Sequence, residues 1–224
     1  GGGAAAGVAD ESMAGVASVV AVVAVDGEAG VPAAVGRVAA ACPGAVAPRG
    51  AGHGAHVMAG TLKRLFTHLF TADARGLFPT SAMERIAAAI DVGETCHAGE
   101  VCFAVESSLH WRDVLRGVQA RARAEDAFAR LRVWDTAANN GVLVYLLLAD
   151  HRIEIVADRG LAPFVSAEQW RRVCELMEGR LRAGEHADGV VAGIEAVGDL
   201  LAEHFPQEPG APDEDELPDQ PVFL

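Results

Sequence analysis

Apolar residues along this chain follow two kinds of spacing, and the switch between them outlines a fold. Leu62, Leu65, Phe66, Leu69 and Phe70 recur at intervals of three and four, the signature of one helical stripe, with Lys63, Arg64 and His68 on the other side. Such a stripe is expected to pack on its own domain. Contact of residues 61–72 with a membrane surface is the less favoured alternative. Met83, Ile86, Ala87 and Ile90 repeat the helical spacing after Pro79, with Ser81 and Glu84 at capping-box separation and Gly93 as a stop. The pattern then changes. Val101 to Val105 is continuously apolar, as in a strand covered on both faces. A helical pattern from Trp111 to Val133 follows, carrying Trp111, Val114, Leu115, Val118, Phe128 and Leu131 inward and Arg112, Arg116, Arg123 and Arg130 outward.

Residues 141–148 predict a second strand, Ala149-Asp150-His151-Arg152 a tight turn, and Ile153–Ala157 a third strand running back. Ser166 and Gln169 open another helix with capping-box spacing, continued by Trp170, Val173, Cys174, Met177 and Leu181. Val190, Ile194, Val197 and Leu201 mark a last helix before Pro206. The order α-β-α-β-β-α-α predicts an α/β fold. It has a small mixed β-sheet, a parallel pair plus an antiparallel hairpin return, between helices on both faces. The crossover joining the parallel pair is expected to be right-handed.

Composition sharpens the boundaries. Residues 1–57 are rich in Ala, Gly and Val and hold no aromatic residue. They read as a low-complexity, disordered arm, and the change at Met58 reads as a native start behind an over-extended reading frame. Gly50-Ala-Gly-His-Gly54 lacks the spacing of a phosphate-binding loop, and His53 and His56 invite only adventitious metal. The folded domain is expected over 58–206. Residues 207–224 carry six acids and no base within a net charge of −13, which reads as an acidic disordered tail. That balance excludes nucleic acid as a partner, because phosphate binding needs a basic face. No apolar run reaches the roughly 20 residues of a membrane span, and no basic region precedes Val19–Val25 as in a signal peptide, so the expectation is a soluble, cytoplasmic protein. Cys42, Cys96, Cys102 and Cys174 form no metal or disulfide framework, and Cys96-His97 with Cys102 lacks a fourth zinc ligand.

The predicted topology sorts the polar residues to two ends of the sheet. One end gathers Glu100, Asp135, Asn139, Asn140, Asp158 and Arg159. The other gathers Glu106, Ser107, Ser108, Asp150, His151 and Arg152. Ligands of open α/β sheets lie beyond the carboxyl ends of the parallel strands, which favours the second end. The first end has the denser set of oxygen donors. Asp135, Asn139, Asn140 and Asp158 suit calcium or another hard divalent cation, with Glu100 and Arg159 as further candidates. The bland reading competes: Asn139-Asn140-Gly141 as an ordinary turn, Asp158 paired with Arg159, and the serines as helix caps. No catalytic residue is assigned.

His97-Ala-Gly-Glu100-Val before the first strand, Asn139-Asn140-Gly141-Val-Leu-Val in the second, and Ile153-Glu-Ile-Val-Ala-Asp-Arg-Gly-Leu161 resemble the TPM-domain family. That family covers thylakoid-lumen, photosystem-repair and receptor-modulator proteins. The chain is most similar to its short bacterial branch, through Trp134-Asp135 and the closing Glu216-Leu-Pro-Asp219-Gln-Pro. The resemblance spans about Leu62 to Phe205 and implies an α/β/α sandwich. It also implies acid phosphatase activity or divalent-ion binding in some members and accessory roles beside membrane complexes in others. Carry-over is confined to Asn139, Asn140 and Gly141. Relatives often have Gly-Tyr-Gly where this chain has Asp158-Arg159-Gly160, and many carry an export signal and anchor not visible here. The function expected is a non-enzymatic interaction or accessory module with an unknown protein partner, steadied by a divalent cation. The alternative is a weak metal-assisted acid phosphatase.

Overall fold

The computed structural model describes residues 21–24, 53–207, 217 and 220–224. Cys42, the Gly50–Gly54 loop, the side chains of His53 and His56, and the Glu216 and Asp219 of the closing motif lie outside the described residues. Strands β1 (Ala21–Ala24), β2 (Val101–Glu106), β3 (Val142–Leu147), β4 (Arg152–Ala157) and β5 (Val222–Phe223) form one mixed sheet in the order β1-β4-β3-β2-β5. β2 and β3 are parallel, in register from Val101 beside Val142 to Glu106 beside Leu147, and β4 returns antiparallel to β3. This is the α/β fold that the apolar spacing predicts, extended by an edge strand at each side.

Both additions come from stretches expected to be unstructured. Ala21–Ala24 lies within the apolar run of the arm and pairs antiparallel with β4. Helix α1 (His53–Phe70) starts ahead of Met58. At the other end, Val222–Phe223 lies parallel to β2, Leu224 donates its N–H to the Val105 carbonyl, and Leu217 is buried. The tail is therefore structured at its end. The apolar residues Leu217, Val222 and Phe223 follow the acidic run and supply the packing that the charge obscured.

The remaining helices are α2 (Ala74–Leu77), α3 (Thr80–Glu94), α4 (Trp111–Leu115), α5 (Ala120–Arg130), α6 (Ala167–Arg182) and α7 (His186–His204). Successive strand residues face opposite ways, which divides the core. Phe103, Val144 and Ile155 pack with Ile86 and Ile90 of α3, Trp170 and Met177 of α6, and Ile194 and Leu201 of α7. Ala104, Leu143, Tyr145 and Val156 pack on the opposite face with Val114 of α4 and Ala124 and Phe128 of α5. Ser166 and Gln169 form the expected capping box: the Gln169 N–H donates to Ser166 Oγ (3.3 Å) and the Ser166 N–H to Gln169 Oε1 (2.9 Å).

Four expectations fail locally. Trp111 and Leu115 of the crossover, expected inward, are exposed. The long crossover helix is two helices, because Gly117 takes a left-handed φ of 74° and ends α4. The helix after Pro79 uses no side-chain cap and runs past Gly93 to Glu94. The stripe on α1 does not pack on the domain: Leu65 is partly buried, but Leu62, Phe66, Leu69 and Phe70 face outward, Phe70 at 79% exposure. Arg64 and His68, the residues expected in solvent, face inward.

Two glycines decide how the segment from Val133 to Asn140 meets the sheet. A Cβ on Gly141 would lie 1.9 Å from the Val133 carbonyl oxygen, and one on Gly160 would lie 2.4 Å from that of Asn139. Backbone touches backbone at both points, which only glycine permits. Gly179 on α6 has open space around its Cα. Gly141→Ala is expected to lower unfolding stability by at least about 3 kcal/mol, and Gly179→Ala to raise it by about 0.5–1 kcal/mol. Urea unfolding of both variants checks this, and equal effects would refute the close approach.

Candidate functional site

The hydrogen-bond register fixes the first end of the sheet. Val142 N–H donates to the Glu100 carbonyl (2.8 Å) and Asp158 N–H to the Gly141 carbonyl (2.9 Å), so Glu100, Gly141 and Asp158 stand in one row. Gly160 N–H bonds the Asn139 carbonyl (2.9 Å), drawing the Asn-Asn-Gly and Asp-Arg-Gly segments together. Asn139 sits in the left-handed region at φ 54°, a conformation asparagine tolerates. Its Oδ1 accepts from Arg159 Nε (3.0 Å). Asn140 is buried, donates from Nδ2 to the Ala98 carbonyl (2.7 Å), and donates its backbone N–H to Thr136 Oγ1 (3.1 Å). Asp158, 7% exposed, caps the short turn Arg159–Leu161 by accepting the Arg159 N–H at Oδ1 (2.6 Å).

Five of the six candidate residues, Glu100, Asn139, Asn140, Asp158 and Arg159, thus come to one edge. Asp135 does not join them. It lies on the exposed turn after α5, paired with Arg132. Two buried oxygens, Asn140 Oδ1 and Asp158 Oδ2, have no hydrogen-bond partner among the described residues. No group of three or more His, Cys, Asp or Glu among the described residues is spaced to hold a metal ion. Arg159 is drawn to Asn139, and the pairing of Arg159 with Asp158 runs through the backbone N–H rather than the guanidinium.

His97 closes the same end from the α3–α7 side. A Cβ on Gly93 or Gly198 would come within 3.3–3.4 Å of its Nε2, so the ring fills a slot between the two helices. Burial holds its pKa below the ordinary imidazole value, and hydrogen bonding to nearby backbone partly opposes this. Cys96 is exposed and Cys102 buried, with its thiol pushed up to about 12 by burial and then by the Glu94 charge. Cys174 is likewise raised to about 12, by burial first. Both buried thiols stay protonated and behave as small apolar groups.

At the opposite end the described residues bring no nucleophile and base together. Ser107 Oγ accepts the Ala74 N–H (2.8 Å) and lies 3.4 Å from Asp73 Oδ1, fastening α2 to the end of β2. Glu106 is buried and takes Arg123 in a two-pronged contact (2.8 and 3.1 Å) together with the Tyr145 hydroxyl (2.6 Å). Burial, reinforced by the Glu106 charge, pushes the Tyr145 phenol well above its usual range. His151 is an exposed turn residue at φ 50°.

Sequence reasoning missed the groups that meet at Asp150. Arg64 reaches it with Nε (3.0 Å) and Nη2 (2.6 Å), and His68 Nε2 lies 3.0 Å from Oδ1. The Leu109 N–H donates to His68 Nδ1 (2.9 Å). The ring nitrogen that accepts from Leu109 leaves Nε2 to carry the proton and donate to Asp150. Both nitrogens are engaged, so His68 is an anchor for α1 and not a free base. Nothing local signals a contact between residues more than 80 positions apart.

The TPM domain profile matches residues 71–200, more than half of the chain. The chain belongs to the TPM domain family. Among solved structures, the TPM domain resembles the NMR structure of the BA42 protein from the psychrophilic bacterium Bizionia argentinensis. The TM-score is 0.58 and the identity 28%, over 66% of this chain and 95% of that one. No curated protein matches the chain. No helix among the described residues is long and apolar enough to cross a membrane. Helix α1 lies wholly ahead of the matched segment.

The Asp150 anchor has a pH signature. Burial alone would raise its carboxyl, but Arg64 and then His68 outweigh that and hold it below its ordinary value of 3.8. A depressed folded pKa stabilises above the unfolded value and loses that stabilisation as pH falls through the folded value. Asp150→Asn is expected to lower stability by about 1–3 kcal/mol at pH 7. The gap from wild type should narrow steadily below about pH 4. Urea titrations at pH 7 and pH 3 test it, and a gap independent of pH would overturn the assignment.

Proposed function

We propose that this TPM domain is a non-enzymatic interaction module whose contact surface is the outer face of α1. The observation that carries this is the row of Leu62, Phe66, Leu69 and Phe70, all exposed, with the Phe66 and Phe70 rings stacked at 6.2 Å. Contiguous apolar surface of this kind marks a binding face. The helix is held by Arg64 and His68 on its inner side, so the apolar side chains serve no packing role within the described residues. The partner is a protein surface with an apolar groove or helix face. An anionic membrane fits less well, because the chain carries a net charge of −13 and Lys63 is its single lysine.

Support for catalysis is thin by comparison. A metal-assisted phosphatase needs a positioned nucleophile or base beside the cation and an open coordination position. Beside Asp158 the described residues offer Arg159, which is turned to Asn139, and buried amides.

A cation at the Asn-Asn-Gly edge is a second reading, favoured by one observation: Asp158 Oδ2 and Asn140 Oδ1 are buried oxygens without a partner among the described residues. Oxygen donors with nearby backbone carbonyls suit calcium, which accepts irregular geometry. Asn139 Oδ1 already receives Arg159 and Asp135 stands with Arg132, so neither supports the site as drawn.

Phe66→Glu with Phe70→Glu should leave the melting temperature unchanged, as exposed substitutions usually alter stability by less than about 0.5 kcal/mol. The pair should abolish co-purification of a partner that the wild type retains in its native host and leave phosphatidylserine vesicles unbound by either protein. Retention of every partner by the variant, or vesicle binding by the wild type alone, would refute the module reading as stated. Turnover of an aryl phosphate at about 1 per second or faster, lost in Asp158→Ala with Arg159→Ala, would establish an enzyme instead.

Calcium at 100 times its Kd should stabilise the domain by about 2.7 kcal/mol. Asp158→Ala should remove that gain and Asp135→Ala should not. No thermal shift at millimolar calcium would end this reading.

A further inference from the structure

A cleft of about 600 Å³ opens beyond the carboxyl end of β3, between the hairpin that joins β3 to β4 and the junction of α6 with α7. Its walls are Leu77, Leu146, Leu148, Ile153 and Leu181, and the end of α1 closes one side through Thr71 and Ala72. The volume falls within the about 300–1,000 Å³ of small-molecule sites. The position is the one that open α/β sheets use for ligands. It lies at the opposite end of the sheet from the Asn-Asn-Gly edge, and nothing in the interaction reading above depends on it.

The mouth differs from the walls. His151, Arg182, His186 and Glu178 line it, three nitrogen bases against one carboxylate. Glu178 is paired with Arg182, so the two charges offset each other and the imidazoles of His151 and His186 supply the further donors at the mouth. His186 is the first residue of α7, a helix whose N-cap, Glu185, makes no side-chain cap bond. At the start of α7, His186 is the residue that lines this cleft, whereas Glu185, Ala187 and Asp188 line a neighbouring pocket with Ser81 and Arg85. The His186 ring lies 6.3 Å from that of Phe78, which holds it at this rim. His151 stands at φ 50° in the β3–β4 turn, fixing a second imidazole there.

We propose that this cleft binds a small amphipathic carboxylate, with its hydrocarbon part against the leucine walls and its anionic head at the mouth beside His151, Arg182 and His186. An apolar wall selects the hydrocarbon without directional bonds. The head sets orientation through charge-assisted hydrogen bonds, which are the stronger kind. A cationic ligand would meet three bases, and a neutral one would leave the polar mouth without a counterpart.

The test uses the full chain with octanoate, decanoate and laurate, and with decanol as the uncharged control, read by calorimetry and thermal shift. Decanoate should bind saturably at one site per chain, raise the melting temperature, and bind at least tenfold more tightly than decanol. Leu148→Trp, which fills the cleft, should abolish binding of both. Arg182→Gln with His186→Gln alters only the rim, so it remains informative if the tryptophan variant fails to fold. It should weaken decanoate tenfold and leave decanol unchanged. Absence of binding by every acid at 1 mM, equal affinity for decanoate and decanol, or undiminished binding by either variant would overturn the proposal. Failure here would leave the α1 surface untouched, since its variants lie on the outer side of a different helix.

Discussion

Everything at the signature end of the sheet depends on backbone lying directly against backbone. The segment from Val133 to Asn140 crosses the ends of β3 and β4 at distances that a single methyl group would forbid, at Gly141 and again at Gly160. Gly99 makes a third tight passage, where a Cβ would come within 3.0–3.3 Å of Leu201 and the Asn140 carbonyl. These contacts bring three motifs, distant in sequence, into one network of main-chain bonds. The asparagines then complete it: Asn139 adopts the left-handed turn and Asn140 ties the turn to Ala98. The glycines and asparagines at this end therefore serve geometry first, with ligand chemistry available to the oxygens left over.

Two charged clusters at the opposite end of the sheet are built alike. The buried Glu106 and the half-buried Asp150 each meet a guanidinium and one further donor: Glu106 with Arg123 and Tyr145, Asp150 with Arg64 and His68. Such clusters gain little over apolar packing, but losing one partner strands a charge in low dielectric. Their value lies in position. Glu106 with Arg123 fixes α5 across the end of β2, and Asp150 with Arg64 fixes α1 over the β3–β4 turn. The cleft beside Leu148 is bounded on one side by that second attachment.

Strands were readable in the sequence because both their faces are covered, which makes them continuously apolar, and α6 because its capping box is a local signal. The break between α4 and α5 was not, since one glycine at 117 within a helical spacing does not announce its φ. Nor was the orientation of α1. Periodicity defines a stripe on a helix and says nothing about which side meets the sheet. Here five hydrogen bonds of Arg64 and His68 outweighed four large apolar side chains, a result that depends on Asp150 arriving from another part of the chain. The candidate site was legible as a cluster of oxygens at one sheet edge, because strand direction alone places Glu100, Asn140 and Asp158 together. Asp135 stands apart on the turn after α5, paired with Arg132, which takes a left-handed φ that the sequence gives no reason to expect.

The single lysine stands exposed on α1, one turn from Phe66 and Thr67. Amine-selective reagents therefore meet one side-chain target in the whole chain, and it borders the apolar row. Acylation of Lys63 would carry a fluorophore or a spin label to that border without mutating any residue. Protection of this side-chain amine would then report occupancy of the face in the purified protein.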